Sequence, residues 1–316
     1  MTSLIEVDVT TGDSATTIAT NLASALDAKS DLGAVYYSTG EIEKASLIFK
    51  DVYDKDPKDL INSYNLSKTY VAQERFSDAY DVILSVLKMR DCDDYNYFFA
   101  GELAFLMGKN YLSHFRKYIE LRKTKVKDQH NDFFIAVSEK YLEFQKITDK
   151  DKLEFLNYIL IQFYENNYDY DSIIMANTIL KLKHEKNPLI ILAAVFDNKI
   201  HFPQQALKYL DKISAYSKSD PTIMEPYSLN YNYGRNYYNL KKYDEAIEYF
   251  KKNLKEKNDD ASVLFAIGQA YRGKKDTDNA CHYFKICSEL NDKENMYSIN
   301  EAIRAAVFLG CLGENK

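Results

Sequence analysis

Tyr243-Asp244-Glu245-Ala246-Ile247-Glu248-Tyr249-Phe250 is the stretch that decides the fold. Large residues at 243, 247 and 250 return every three or four positions with acids between them, the spacing of one buried helix face. Ala246 lies within that face, where a small side chain lets a second helix approach, and Phe250 one turn later supplies volume. The pattern then repeats. Gly234 and Gly268 lie 34 residues apart, and the same offset carries Tyr237 onto Tyr271, Ala246 onto Ala280 and Phe250 onto Phe284, while Tyr233 falls on Ile267.

Nearer the start the template reads Leu32, Gly33, Tyr36, Gly40, Ala45, Phe49 and Pro57. A further 34 residues on it reads Leu66, Ser67, Tyr70, Phe76, Ala79 and Ile83. A fixed period of this length is the mark of helix hairpins that cannot bury their apolar faces alone and stack to do so. Clear units cover 26–59, 60–93, 227–260 and 261–294, and 94–128 makes a fifth with Gly101 and Gly108 in register. Pro57 stops the second helix of its unit, and Asn258, Asp259 and Asp260 offer caps at the equivalent boundary.

These residues resemble the tetratricopeptide repeat family: a large residue before Gly, Tyr three later, Ala twelve after the Gly, an aromatic four beyond that Ala, and Pro near the end. The resemblance implies an all-α, right-handed superhelical solenoid of antiparallel helix pairs. Gly33, Gly234 and Gly268 are then expected to face Ala45, Ala246 and Ala280 across each pair. Between the well-formed blocks the repeat is degenerate, with helices expected at 131–146, 152–166, 171–183, 188–198 and 203–216, one of them unpaired. The expected organisation is a short or disordered tail at 1–13, an N-terminal block at 14–128, a degenerate middle at 129–221, a C-terminal block at 222–294, and a capping helix and tail at 295–316.

Composition narrows the function. Lys and Arg total 41 against 47 Asp and Glu, a net charge of −6 without long runs of one sign, so nucleic acid is not an expected partner. No stretch approaches the roughly 20 apolar residues of a membrane span, and acids occupy the first residues where a secretory signal would be basic and then apolar, so a cytoplasmic location is expected. Cys92, Cys281, Cys287 and Cys311 show no paired spacing and are expected to be reduced, small hydrophobes. The five histidines are scattered, no Gly-rich phosphate loop, nucleophile elbow or zinc-protease motif occurs, and neither enzyme activity, cofactor nor metal is expected. Acid pairs such as Asp93–Asp94 and Asp259–Asp260 stand at expected helix starts and read as caps.

Tyrosine is abundant, 27 of 316 residues, and the repeat absorbs Tyr36, Tyr70, Tyr237, Tyr243 and Tyr271 as packing positions. Other aromatics fall on the helix face that the resemblance implies lines a concave groove. Those positions include Tyr37, then Tyr64 and Lys68, then Tyr95, Phe98, Glu102 and Phe105. In the later block they are Tyr231, Arg235, Tyr238 and Asn239, then Phe265, Gln269 and Arg272. A partner protein or peptide is expected to bind there, because Tyr and Arg are enriched where binding energy concentrates. The alternative is a regulatory receptor for a short signal peptide, and self-association is also compatible with the sequence. Family members that grip acidic chaperone C-termini use a basic and amide clamp. At the corresponding positions here (Ser30, Ala34, Asn65, Tyr95 and Phe99; Tyr231, Arg235, Ala266, Met296 and Asn300) only Asn65 keeps the clamp residue, so no such clamp is expected.

Overall fold

The computed structural model describes residues 15–89, 92–124, 129–182, 186–220, 222–290 and 295–311, so the expected tail at 1–13 lies outside the described residues. Among the described residues all regular structure is helical. The chain divides into two compact units, Met1–Phe202 and Pro203–Lys316.

In the first unit Ala15–Ser38 (α1) pairs with Ile42–Lys55 (α2), Leu60–Ala72 (α3) with Phe76–Val86 (α4), and Tyr95–Met107 (α5) with Leu112–Arg122 (α6). Gln129–Glu143 (α7) packs on α6, Asp149–Glu165 (α8) pairs with Asp169–Leu182 (α9), and Asn187–Ala194 (α10) lies on α9 before a π-helical turn at Val195–Lys199. The stack does not simply continue: α9 lays a face against α3 and α5, the first helices of their hairpins. Around Phe98 the core is aromatic, with Phe134 at 4.7 Å and Phe115 at 5.5 Å between ring centroids, and Phe115 stacks on Tyr141 at 4.5 Å.

In the second unit Pro203–Ser217 (α11) packs on Pro226–Asn239 (α12), α12 pairs with Tyr243–Glu256 (α13), and Ala261–Gly273 (α14) pairs with Thr277–Ser288 (α15). Met296–Phe308 (α16) closes the end of that core with Ile299, Ala302, Ala305 and Ala306 against Leu264, Phe284 and Cys287. It does not make a polar cap, because Met296, Ile303, Val307 and Phe308 remain exposed on its other side.

Local chemistry starts and stops these helices. Asp59 accepts from Asn62 N at 2.9 Å, and Asp260 accepts from Ser262 N and Val263 N at 2.9 and 3.1 Å, satisfying N–H groups that the first helical turn leaves bare. Left-handed residues stand in the turns after helices and recur at the repeat spacing within three groups: Gly40, Glu74 and Gly108, then Asn167 and His201, then Lys241 and Lys275. The degenerate middle thus keeps the period in its turns although it has lost it in its packing residues.

The expected contact of glycine with alanine is refined by the structure, which puts an aromatic ring nearest to each glycine. A Cβ at Gly33 would lie 2.7 Å from the Phe49 ring, one at Gly234 2.5 Å from Phe250 and one at Gly268 2.5 Å from Phe284. Glycine makes room for the aromatic one turn past the alanine, since a phenyl ring is what reaches across the helix pair. The expectation of four reduced thiols is also corrected, because Cys281 on α15 and Cys311 after α16 form a disulfide with Cα atoms 5.4 Å apart. Their spacing in sequence gave no sign of it, since the return of α16 onto α15 creates the contact. Cys92 and Cys287 are free, and burial pushes the Cys287 thiol up to about 11.

Candidate functional site

The second unit carries a hollow of about 430 Å³ between α12, α14 and the start of α16. Its lining brings together Tyr231, Arg235, Tyr238, Asn239, Phe265 and Gln269, the positions read as groove residues in the sequence. Helical spacing explains this, for 231, 235 and 238 stand on one face of α12, and 265 and 269 on one face of α14. Tyr231 leans on the Phe250 ring at 5.7 Å, and Tyr238 meets Tyr243 edge to face at 5.6 Å, so both rings are held from behind. The Gln269 Oε1 atom is buried and accepts no hydrogen bond. Arg272 is exposed and does not line the hollow. Tyr297 and Ser298 of α16 complete the wall, and reading α16 only as a cap hid them.

The first unit is different. Tyr37, Tyr64, Lys68 and Tyr95 line a cavity of about 510 Å³, but its opposite wall is Asn167, Tyr168, Asp169, Tyr170 and Asp171 around the start of α9, with Lys199 and His201 at the following turn. Phe98 and Glu102 do not reach a groove surface, at 0% and 1% exposed: Phe98 is enclosed by Phe115 and Tyr118 of α6, Phe134 of α7 and Phe163 of α8, and Glu102 is buried where α5 meets α9. Phe105 is half-buried against Tyr111, Tyr141 and Phe144, with centroids 4.8 to 4.9 Å away.

Electrostatics of the cavity follow from its burial. Lys68 Nζ lies 5.1 Å from the Tyr64 ring centroid and 4.8 Å from that of Tyr170, and burial lowers its pKa while Asp171 and Asp169 oppose the shift. Tyr95 donates its hydroxyl hydrogen to Asp171 Oδ1. Glu102 and Asp171 are both buried in the contact of α5 with α9, and burial first, then the charge of Asp171, hold the Glu102 carboxyl well above the usual carboxylate range. Glu102 therefore stays protonated and donates to Asp171, since two adjacent carboxylates without water cannot both ionise. Burial also raises Asp169, and it raises the hydroxyls of Tyr37 and Tyr64.

At the rim, Gly40 has φ +76° and a Cβ there would stand 1.9 Å from the His201 carbonyl oxygen, so the turn after α1 is pressed against the turn after α10. The middle-segment residues of this cavity escaped sequence reading. The run Tyr168-Asp169-Tyr170-Asp171 was its available signal, and acids at a helix start ordinarily mean a cap.

Among the described residues no three His, Cys, Asp or Glu side chains converge as a metal site, and no helix is long and apolar enough to cross a membrane. No curated protein matches the sequence. Among solved structures the chain is similar to the apo form of RapI, at 16% identity over 90% of this chain and 86% of that one with a TM-score of 0.41. It is similar to the Cut9–Hcn1 hetero-tetramer of the APC/C, at 18% identity over 90% of this chain and 52% of that one with a TM-score of 0.38. A tetratricopeptide repeat protein from Parabacteroides merdae shares 13% identity over 89% of this chain and 98% of that one, with a TM-score of 0.36. Residues 227–260 and 261–294 each match the tetratricopeptide repeat model, and these are the hairpins in which Gly234 meets Phe250 and Gly268 meets Phe284. Residues 227–294 of the chain are thus two tandem tetratricopeptide repeats.

Proposed function

We propose that this protein is a non-catalytic adaptor that seats an extended segment of a partner protein in the hollow between α12, α14 and α16. Tetratricopeptide arrays are protein-interaction scaffolds, and the proposal concerns which face is used and for what. The observation that carries it is the Gln269 Oε1 atom, buried without a donor among the rings of Tyr231, Tyr238 and Phe265. A buried acceptor left bare costs roughly 1–3 kcal/mol, and a peptide N–H laid across the hollow satisfies it while the rings take apolar side chains. Rings already braced by Phe250 and Tyr243 lose little freedom on binding.

The test is selection of random dodecapeptides displayed on phage against the immobilised full chain, followed by calorimetry. Enriched peptides are expected to bind Gln269→Leu and Arg235→Ala about tenfold or more weakly, a loss of ~1.4 kcal/mol or more, with helicity unchanged. Affinity for both variants equal to that for the unaltered chain refutes the site. A cytoplasmic setting is part of the same proposal. Persistent disulfides are rare in reducing compartments, so recovery of the Cys281–Cys311 bridge intact from cells lysed into alkylating agent would count against that setting.

A further inference from the structure

The cavity of the first unit has chemistry that the second unit's hollow lacks. Its lining carries two ammonium groups, Lys68 and Lys199, and two carboxyl groups, Asp169 and Asp171. Two of these are engaged by the protein itself: Asp171 is held by Tyr95 from the floor, and Lys199 donates to Asn167 Oδ1 at 2.5 Å on the rim. One charge of each sign is left under-used. Lys68 Nζ touches only the faces of Tyr64 and Tyr170, and among the described residues no carboxylate oxygen lies within ion-pair distance of it. Asp169 Oδ1 is buried and accepts no hydrogen bond, and the buried Tyr37 hydroxyl makes none. Asp169 feels the charge of Lys199 and, less, that of Lys68, and Lys68 feels Asp171 and then Asp169, but neither Lys199 nor Lys68 forms an ion pair with Asp169.

That arrangement selects a ligand by charge. A simple anion would be drawn to Lys68 but repelled by two carboxylates, and a simple cation would meet two ammonium groups, so either is poorly matched in a site of balanced sign. A neutral dipolar molecule answers both poles at once. The walls between the poles are ring faces, which accept an apolar or aromatic group. A volume of about 510 Å³ is within the usual range for small-molecule sites and leaves room for bridging water beside a small ligand.

We propose that this cavity binds a free α-amino acid, whose carboxylate is taken by Lys68 Nζ and the Tyr37 hydroxyl, whose ammonium is taken by Asp169, and whose side chain lies against Tyr64 and Tyr170. The proposal is independent of the peptide hollow, which belongs to the other unit.

Thermal shift and calorimetry of the full chain with each of the common L-amino acids, up to about 10 mM, test it. At least one is expected to bind and stabilise. Its N-acetyl derivative, which lacks the ammonium, and its amide, which lacks the carboxylate, are each expected to bind about tenfold or more weakly. Lys68→Met and Asp169→Asn are expected to show the same loss with unchanged circular dichroism, while Gln269→Leu leaves binding intact. The derivative series uses the unaltered protein, so the result does not depend on either cavity variant folding. Absence of binding by every amino acid at that concentration overturns the proposal and assigns the cavity to water. Binding of either blocked derivative as tightly as the free amino acid overturns it as well.

Discussion

Replacing Gly268 by Ala sets two known effects against each other. Alanine favours a helix over glycine by up to ~1 kcal/mol, so propensity alone predicts a more stable protein. The new Cβ, however, would stand 2.5, 2.6 and 3.1 Å from Cε1, Cδ1 and Cζ of Phe284. Carbon atoms settle at about 3.5–4.0 Å, so the ring must retreat by about 1 Å. Phe284 has no room for that, being fully buried among Leu264, Ile299 and Ala302. Overpacking of this kind costs about 1–3 kcal/mol, and after the propensity gain a net loss of roughly 1–2 kcal/mol is expected. Urea unfolding of the full chain, with hydrogen exchange read on α14 and α15, measures it. Shortening the ring in Gly268→Ala/Phe284→Leu should recover part of the loss, giving a coupling of about 1 kcal/mol or more in a double-mutant cycle. A raised unfolding midpoint for Gly268→Ala, or strict additivity in the cycle, would refute the close-approach account of the repeat.

Folded, Glu102 keeps its proton above its ordinary pKa, whereas the unfolded chain releases it there; the native state then binds more protons, and stability falls as pH rises past the usual carboxylate range. Glu102→Gln should flatten that slope in urea midpoints taken from about pH 5 to pH 8, and an unchanged slope would place the titrating group elsewhere. Lys275 holds a left-handed turn at φ 64°, so Lys275→Gly is expected to raise stability by up to roughly 1 kcal/mol, whereas glycine elsewhere on a helix surface lowers it. The Cys281–Cys311 bridge spans 30 residues, for which chain entropy assigns roughly 3–4 kcal/mol; Cys311→Ser should lower the unfolding midpoint of the second unit and match the effect of reductant on the unaltered chain.

Where sequence reading succeeded, one physical rule acted in isolation. In α12 to α15 the side chains that fill the core come from each hairpin and from the helix that follows it in the chain, so spacing along the chain is spacing in the core, and groove positions follow by helical rotation. The first unit departs because a distant helix supplies part of each environment. Phe98 and Glu102 sit on the outward side of α5 by the same counting, but Phe134 of α7 and Phe163 of α8 close over Phe98, and Asp171 of α9, some 70 residues later, meets Glu102. Asp169 and Asp171 look like a helix start and are one, and their second role depends on Lys68 and Tyr95 lying across from them. The left-handed turn residues were illegible for another reason: Glu74, His201, Lys241 and Lys275 occupy a conformation that marks glycine, held there by the hairpin and not by their own preference.

The π-helical turn at Val195–Lys199 closes with the Ile200 amide bonded to the Val195 carbonyl at 2.9 Å, five residues back instead of four. One residue is therefore accommodated as a swelling within the coil, and the residues that follow it, up to Phe202, are rotated by about 100° from where an ordinary helix would carry them. Lys199 and His201 owe their place at the cavity mouth to that extra residue. A chain shortened by one position between 195 and 199 would keep its α10 and its hairpin order, yet turn both side chains away from the mouth, a change of access achieved by arithmetic along the backbone and not by altering any residue that lines it.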